Sequence, residues 1–129
     1  MTEEEKDKLV AEAIVKNCPP NRWVDFVKSL LEKEQPGFPL VPTVLSKLDL
    51  KDEISSLQSD IRILVADMKD NSLIEITSSL IECIYNLIGL CLQYGFDPTP
   101  HMEEMQRSNM VGGDAPHIKE ILIAQGWQE

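Results

Sequence analysis

Apolar positions return every three or four residues along much of this chain, and the longest such run lies between Ser72 and Tyr94. Leu73, Ile76, Leu80, Ile84, Leu87, Cys91 and Tyr94 keep that step, and Ile74, Ile81, Ile88 and Leu92 form a second apolar line beside them. The pattern predicts a central helix packed on more than one side. Its remaining line is Glu75, Ser79, Glu82, Asn86 and Gln93, which project from one strip of the helix surface. Ser72 followed by Glu75 predicts a capping box, and Gly95 predicts a left-handed termination. A run this long also has the span of a membrane helix. Thr77, Ser78, Ser79, Glu82, Asn86 and Gln93 argue against that, because a glutamate at mid-bilayer costs several kcal/mol.

A second long helix is predicted from about Asp49 to Lys69. Leu50, Ile54, Leu57, Ile61, Leu64 and Met68 step by four and three as a helix-packing seam, and the mostly polar line Glu53, Ser56, Asp60, Ile63 and Asp67 lies beside it. Asp70, Asn71 and Ser72 make a short turn, so the two helices are expected to form an antiparallel hairpin at the centre of an all-α bundle. With the apolar seams facing each other, the two polar lines flank one groove.

The flanking segments are expected to add shorter helices. Glu3 to Lys16 reads as an amphipathic helix with Leu9, Val10, Ala13, Ile14 and Val15 inward, ended by Pro19 and Pro20. Asn21 caps a helix to about Glu34 with Trp23, Phe26, Val27, Leu30 and Leu31 inward. Pro36, Gly37, Pro39 and Pro42 make the stretch 35–43 an extended connector. Thr99 as cap and Pro100 as first helical residue open a short helix to about Asn109. After Gly112 and Gly113, Ala115 to Gln125 reads as a last helix with Ile118, Ile121 and Leu122 inward, or as a short extended piece at 121–123. Trp23 and Trp127 are expected as core anchors, and His101 and His117 as surface residues.

A chain of 129 residues suits one domain, and a homodimer would enlarge its core through apolar faces that one chain leaves uncovered. The net charge of −10 repels phosphate backbones and sets nucleic acid aside as a partner. A nucleotide would need Mg²⁺ or localised cations to bind here. Cys18, Cys83 and Cys91 are an odd set. The last two lie roughly 12 Å apart along one helix, beyond disulfide reach, and all three read as small apolar side chains. With no signal-peptide core in TEEEKDK, the expected setting is reducing and cytoplasmic, with no membrane span.

Facing carboxylates on two helices are the usual way a helical bundle holds Mg²⁺. The available set is Asp60 and Asp67 on one helix with Glu82 and Asn86 on the other. Glu82, on a mostly apolar helix, is expected to be buried, either at a site or paired with Arg62, a lysine or a second subunit. Asn86 reads as an interhelical hydrogen bonder or a ligand contact.

Gly89 in the apolar helix, Gly95-Phe96-Asp97 and Arg107-Ser108-Asn109-Met110, together with Ala66 to Asn71 before the turn, carry a resemblance. From about Leu57 to Asn109 the chain resembles the MazG-like nucleotide pyrophosphohydrolases, the all-α group that includes phosphoribosyl-ATP pyrophosphohydrolase. The resemblance implies a single MazG-like bundle with an extra N-terminal helix (1–20), a family region (49–110) and a tail (111–129), dimeric or a dimer of dimers. It implies Mg²⁺-assisted attack of water on the α–β phosphate linkage of a nucleotide, with Arg107, Asn109 and Lys119 near the ligand. The family's EExxE falls here on Ser59, Asp60 and Ile63, and its DExxD on Ser78, Ser79 and Glu82, so of those acids only Asp60 and Glu82 remain. The lysine that often follows the asparagine is replaced by Val111 and Gly112. Three readings follow: a nucleotide-type binder with weak or absent hydrolysis, an active pyrophosphohydrolase on a reduced site of Asp60, Glu82 and Asp67, and a protein-interaction module on the same fold.

Overall fold

The structure is a computed structural model that describes residues 1–19, 21–34, 42 and 51–128. Among these residues are six helices and no strand: α1 (Glu3–Asn17), α2 (Arg22–Glu34), α3 (Lys51–Asp70), α4 (Leu73–Gln93), α5 (Pro98–Val111) and α6 (Ile118–Ala124). The expected connector at 35–43, apart from Pro42, lies outside the described residues, as do Asp49 and Leu50.

α3 and α4 form the expected antiparallel hairpin. Its turn is Asn71, which takes a positive φ of 62°, a conformation asparagine tolerates better than most side chains. Three side-chain rungs join the helices. Gln93 Nε2 donates to Glu53 Oε1 at 3.4 Å, Asn86 Nδ2 donates to Asp60 Oδ2, and Ser79 Oγ donates to Asp67 Oδ2. The rungs climb seven residues at a time on α3 and descend seven at a time on α4, which fixes both the register and the rotation of each helix. Leu57, Leu64, Cys83 and Leu90, four residues beyond rung positions, are the buried or half-buried apolar positions beside them.

That rotation corrects the predicted seam. Ile54, Ile61 and Met68 each follow a rung residue directly, so they lie about 100° round the helix from the contact, and all three are exposed. Val65 is exposed with them. α4 is also less enclosed than its apolar sequence predicts. Leu73, Ile74, Leu80, Ile81, Ile84 and Leu87 are exposed, because α2 covers only the C-terminal half. By length and composition α4 could cross a membrane, but it carries Glu75 and Glu82 on its surface.

α2 begins as predicted: Asn21 Oδ1 accepts from the backbone N–H of Trp23 and Val24. Its buried face, however, is Val24 and Val27 with Leu31, packed on Leu92, Tyr85 and Ile88. Trp23 is 60% exposed and anchors no core, and Phe26 and Leu30 also face outward. Phe26 meets only the edge of Tyr85, with ring centroids 6.5 Å apart.

Beyond the hairpin, α1 packs on α6 and α5. Ala11 and Ile121 meet the interior at 0% exposure, and Ile14 and Val15 are half-buried. Leu9, Val10 and Ala13, expected inward, are exposed. The 118–124 segment is helical, which resolves the alternative left open there.

Two predicted caps are corrected. Ser72 stands at the N-cap of α4 without a side-chain bond. Asp97, not Thr99, caps α5 by accepting from the Thr99 N–H at 2.9 Å, and Pro98 is the first helical residue. Gly95 behaves as expected: its φ is 89°, and the Phe96 N–H reaches back to the Cys91 carbonyl at 3.1 Å.

Candidate functional site

A residue three places after a rung lies about 300° round, on the side opposite the exposed apolar positions. Ser56, Ile63, Glu82 and Gly89 occupy those places and line a trough along one side of the hairpin. The trough has two parts. The first, about 320 Å³, has α2 as its wall, with Val27, Leu30, Leu31, Tyr85 and Leu90 as apolar lining and Glu34, Asp52, Glu53, Asn86 and Gln93 as polar lining. Gly89 faces the wall here, and a Cβ on it would make an ordinary contact with Val27 Cγ1 at 4.0 Å. The second part, about 340 Å³, is lined by Asp60, Ile63, Ser78, Ser79 and Glu82. Asn86 lines the first part and bonds Asp60, which lines the second, so the two parts meet at the middle rung.

The structure therefore brings Asp60, Glu82 and Asn86 to one trough. Glu82 is exposed, which corrects the expectation of a buried carboxylate: α2 does not extend over this end of α4. Asp67 turns to Ser79 and does not line the cavity. Among the described residues no group of three or more His, Cys, Asp or Glu could by itself hold a metal ion. Two carboxylates are nevertheless a usual protein share for Mg²⁺ when phosphate oxygens and water fill the other positions. Asp60 and Glu82 both line the second part of the trough.

Arg107, Asn109 and Lys119 lie on α5 and α6 and are not among the residues lining the trough. Asn109 lines a separate hollow with Asn21, Met102 and Met105. Arg107 is committed to its own chain. Nε and Nη2 donate to the two oxygens of Glu104, the latter at 3.2 Å, and Nη1 reaches Asp114 Oδ2 at 2.8 Å. Glu104 is 0% exposed. It also accepts from the His117 N–H at 2.8 Å and lies 2.6 Å from His117 Nδ1, while His117 Nε2 faces Asp7 Oδ1 at 3.3 Å. Glu104 and His117 thus tie α5 to the start of α6, and His117 reaches on to α1 through Asp7.

Burial alone would push the Glu104 carboxyl up. The donors from Arg107 and His117 outweigh it and hold the group below the usual carboxylate range. His117 is accordingly no surface residue. Neither is His101, which bonds Gln125 at 2.8 Å and packs its ring on Phe96. Sequence reasoning missed Glu104, although its place three residues before Arg107 puts the two on one helix face. Burial pushes the thiols of Cys18 and Cys91 up, away from the thiolate form a nucleophile needs.

Compared with known proteins, the chain matches no family model, no curated protein and no solved structure.

Proposed function

We propose that this protein is a divergent MazG-like bundle that binds a nucleotide-type phosphate ligand as its Mg²⁺ complex and hydrolyses it weakly or not at all. The observation that carries the reading is the cavity lined by Asp60, Ile63, Ser78, Ser79 and Glu82. Those are five positions on which the acidic motifs of that family fall, gathered at one place by α3 and α4. In this reading Asp60 and Glu82 hold the cation, and the bound cation screens the phosphates from an otherwise anionic trough. The adjoining α2-walled part, with Tyr85 and Leu31 in its lining, receives the less polar end of the ligand.

Hydrolysis needs more than this set provides. Ile63 has no donor atom, and Ser78 and Ser79 bring no charge to a second cation or to an attacking water. Titration calorimetry against nucleoside triphosphates tests the proposal. Binding heat is expected with Mg²⁺ and not without it, and it is lost in Asp60→Asn with Glu82→Gln; no heat with any nucleotide removes the reading. The apolar surface on the far side of the hairpin supports a second reading, in which the bundle is a non-catalytic interaction scaffold.

A further inference from the structure

Every hydrogen-bonding side chain in the α2-walled part of the trough can accept, and three of them, the carboxylates of Glu34, Asp52 and Glu53, can do nothing else. No lysine, arginine or histidine is among the described residues that line it. Both carboxamide nitrogens are engaged with α3: Asn86 Nδ2 donates to Asp60 Oδ2, and Gln93 Nε2 donates to Glu53 Oε1 at 3.4 Å. A ligand end that fits here must therefore donate hydrogen bonds, because an oxygen acceptor in the same place meets carboxylates with no proton between them. Val27, Leu31 and Tyr85 supply apolar walls, which suit the faces of a flat ring. The space of about 320 Å³ is near the lower end for small-molecule pockets.

Glu53 is the best placed of the three carboxylates. It is half-buried, whereas Glu34 and Asp52 are exposed, and a charge removed from water acts more strongly on a ligand. Gln93, only 6% exposed, orients it through Oε1 before any ligand arrives. Glu53 also lies seven residues before Asp60 on α3, about 10 Å along the helix, a distance that an extended nucleoside triphosphate covers between its phosphates and its base.

We propose that Glu53 reads the base, selecting nucleotides whose base carries an exocyclic amino group over those with a carbonyl or a bare ring carbon in its place. The inference rests on the reading of the trough as a nucleotide site and adds its substrate class. An amino group gives the carboxylate a charge-assisted hydrogen bond, the pairing by which Glu or Asp recognises the N4 amino group of cytosine. Guanine offers its amino group beside N1–H, two donors for the two oxygens of one carboxylate. Uracil instead places O4 where cytosine has N4, and hypoxanthine lacks the guanine amino group.

Titration calorimetry of the whole chain with Mg²⁺ and two matched pairs, GTP against ITP and CTP against UTP, reads the selection. The expected result is an affinity on the order of 30-fold higher for the amino-bearing member of each pair. In Glu53→Gln, which keeps an acceptor for Gln93 but removes the charge, each ratio falls to within about threefold. Circular dichroism checks that the variant keeps its helices, and the wild-type pairs decide the selection independently of it. Equal affinities within each pair overturn the inference and leave the phosphate reading standing, as does a selection that Glu53→Gln does not change. No heat with any of the four nucleotides removes both.

Discussion

Replacing Glu104 by alanine lowers the unfolding free energy by about 3 kcal/mol, the scale for removing one partner of a buried charged pair. The side chain is wholly buried, so its loss leaves a cavity and strands the His117 N–H and the donors of Arg107 that it satisfied. The direct tie between α5 and the start of α6 is lost with it. Urea unfolding at neutral pH measures this, and a midpoint indistinguishable from wild type contradicts the assignment.

The same residue sets a pH dependence. Its folded pKa lies below the ordinary carboxylate value, whereas in the unfolded chain it titrates near ~4.3. Below that point the unfolded state binds the extra proton, so this contribution is present above about pH 4.3 and fades as pH falls through the folded value. The stability gap between wild type and Glu104→Ala is therefore widest near neutrality and narrows in acid.

Adding carboxylates to the trough is expected to have the largest functional effect. Ile63 is exposed and Ser78 lies on the same cavity wall, so Ile63→Glu with Ser78→Asp adds two oxygen donors beside Asp60 and Glu82 without disturbing the core. Divalent-cation affinity should rise on the order of 100-fold, since ligand charge count governs affinity for hard cations. Pyrophosphate release from a nucleoside triphosphate should become measurable with it. Calorimetry with Mn²⁺ or Mg²⁺ gives the first readout and a coupled phosphate assay the second. Affinity unchanged by both substitutions means that the four side chains do not converge.

The hairpin and its groove were legible in the sequence because two signals agreed: a four-three apolar step and a polar line beside it on each helix. The rotation of the helices was not. Apolar residues outnumber the positions one chain buries, so periodicity alone cannot tell Leu57, which is half-buried, from Ile61, which is exposed. The hydrogen-bonded rungs decide between them. The same ambiguity placed Trp23 in the core, where Val24 sits instead. Glu82 looked buried because its neighbours are apolar, yet the helix that would cover them reaches only the other half of α4. Arg107 read as a phosphate ligand by its motif; in the structure Glu104, on the same helix, and Asp114, in the segment that follows, take its donors.

The register of the hairpin and the trough beside it depend on the two polar lines meeting, and the coupling energy between Asp60 and Asn86 reports on that most directly. Asp60→Ala, Asn86→Ala and the double variant, compared by urea unfolding, should give a coupling of about 1.5 kcal/mol, as expected for a hydrogen bond to a charged acceptor. Effects that add to within about 0.5 kcal/mol would mean that the rung does not form, and with it would go the register and the trough.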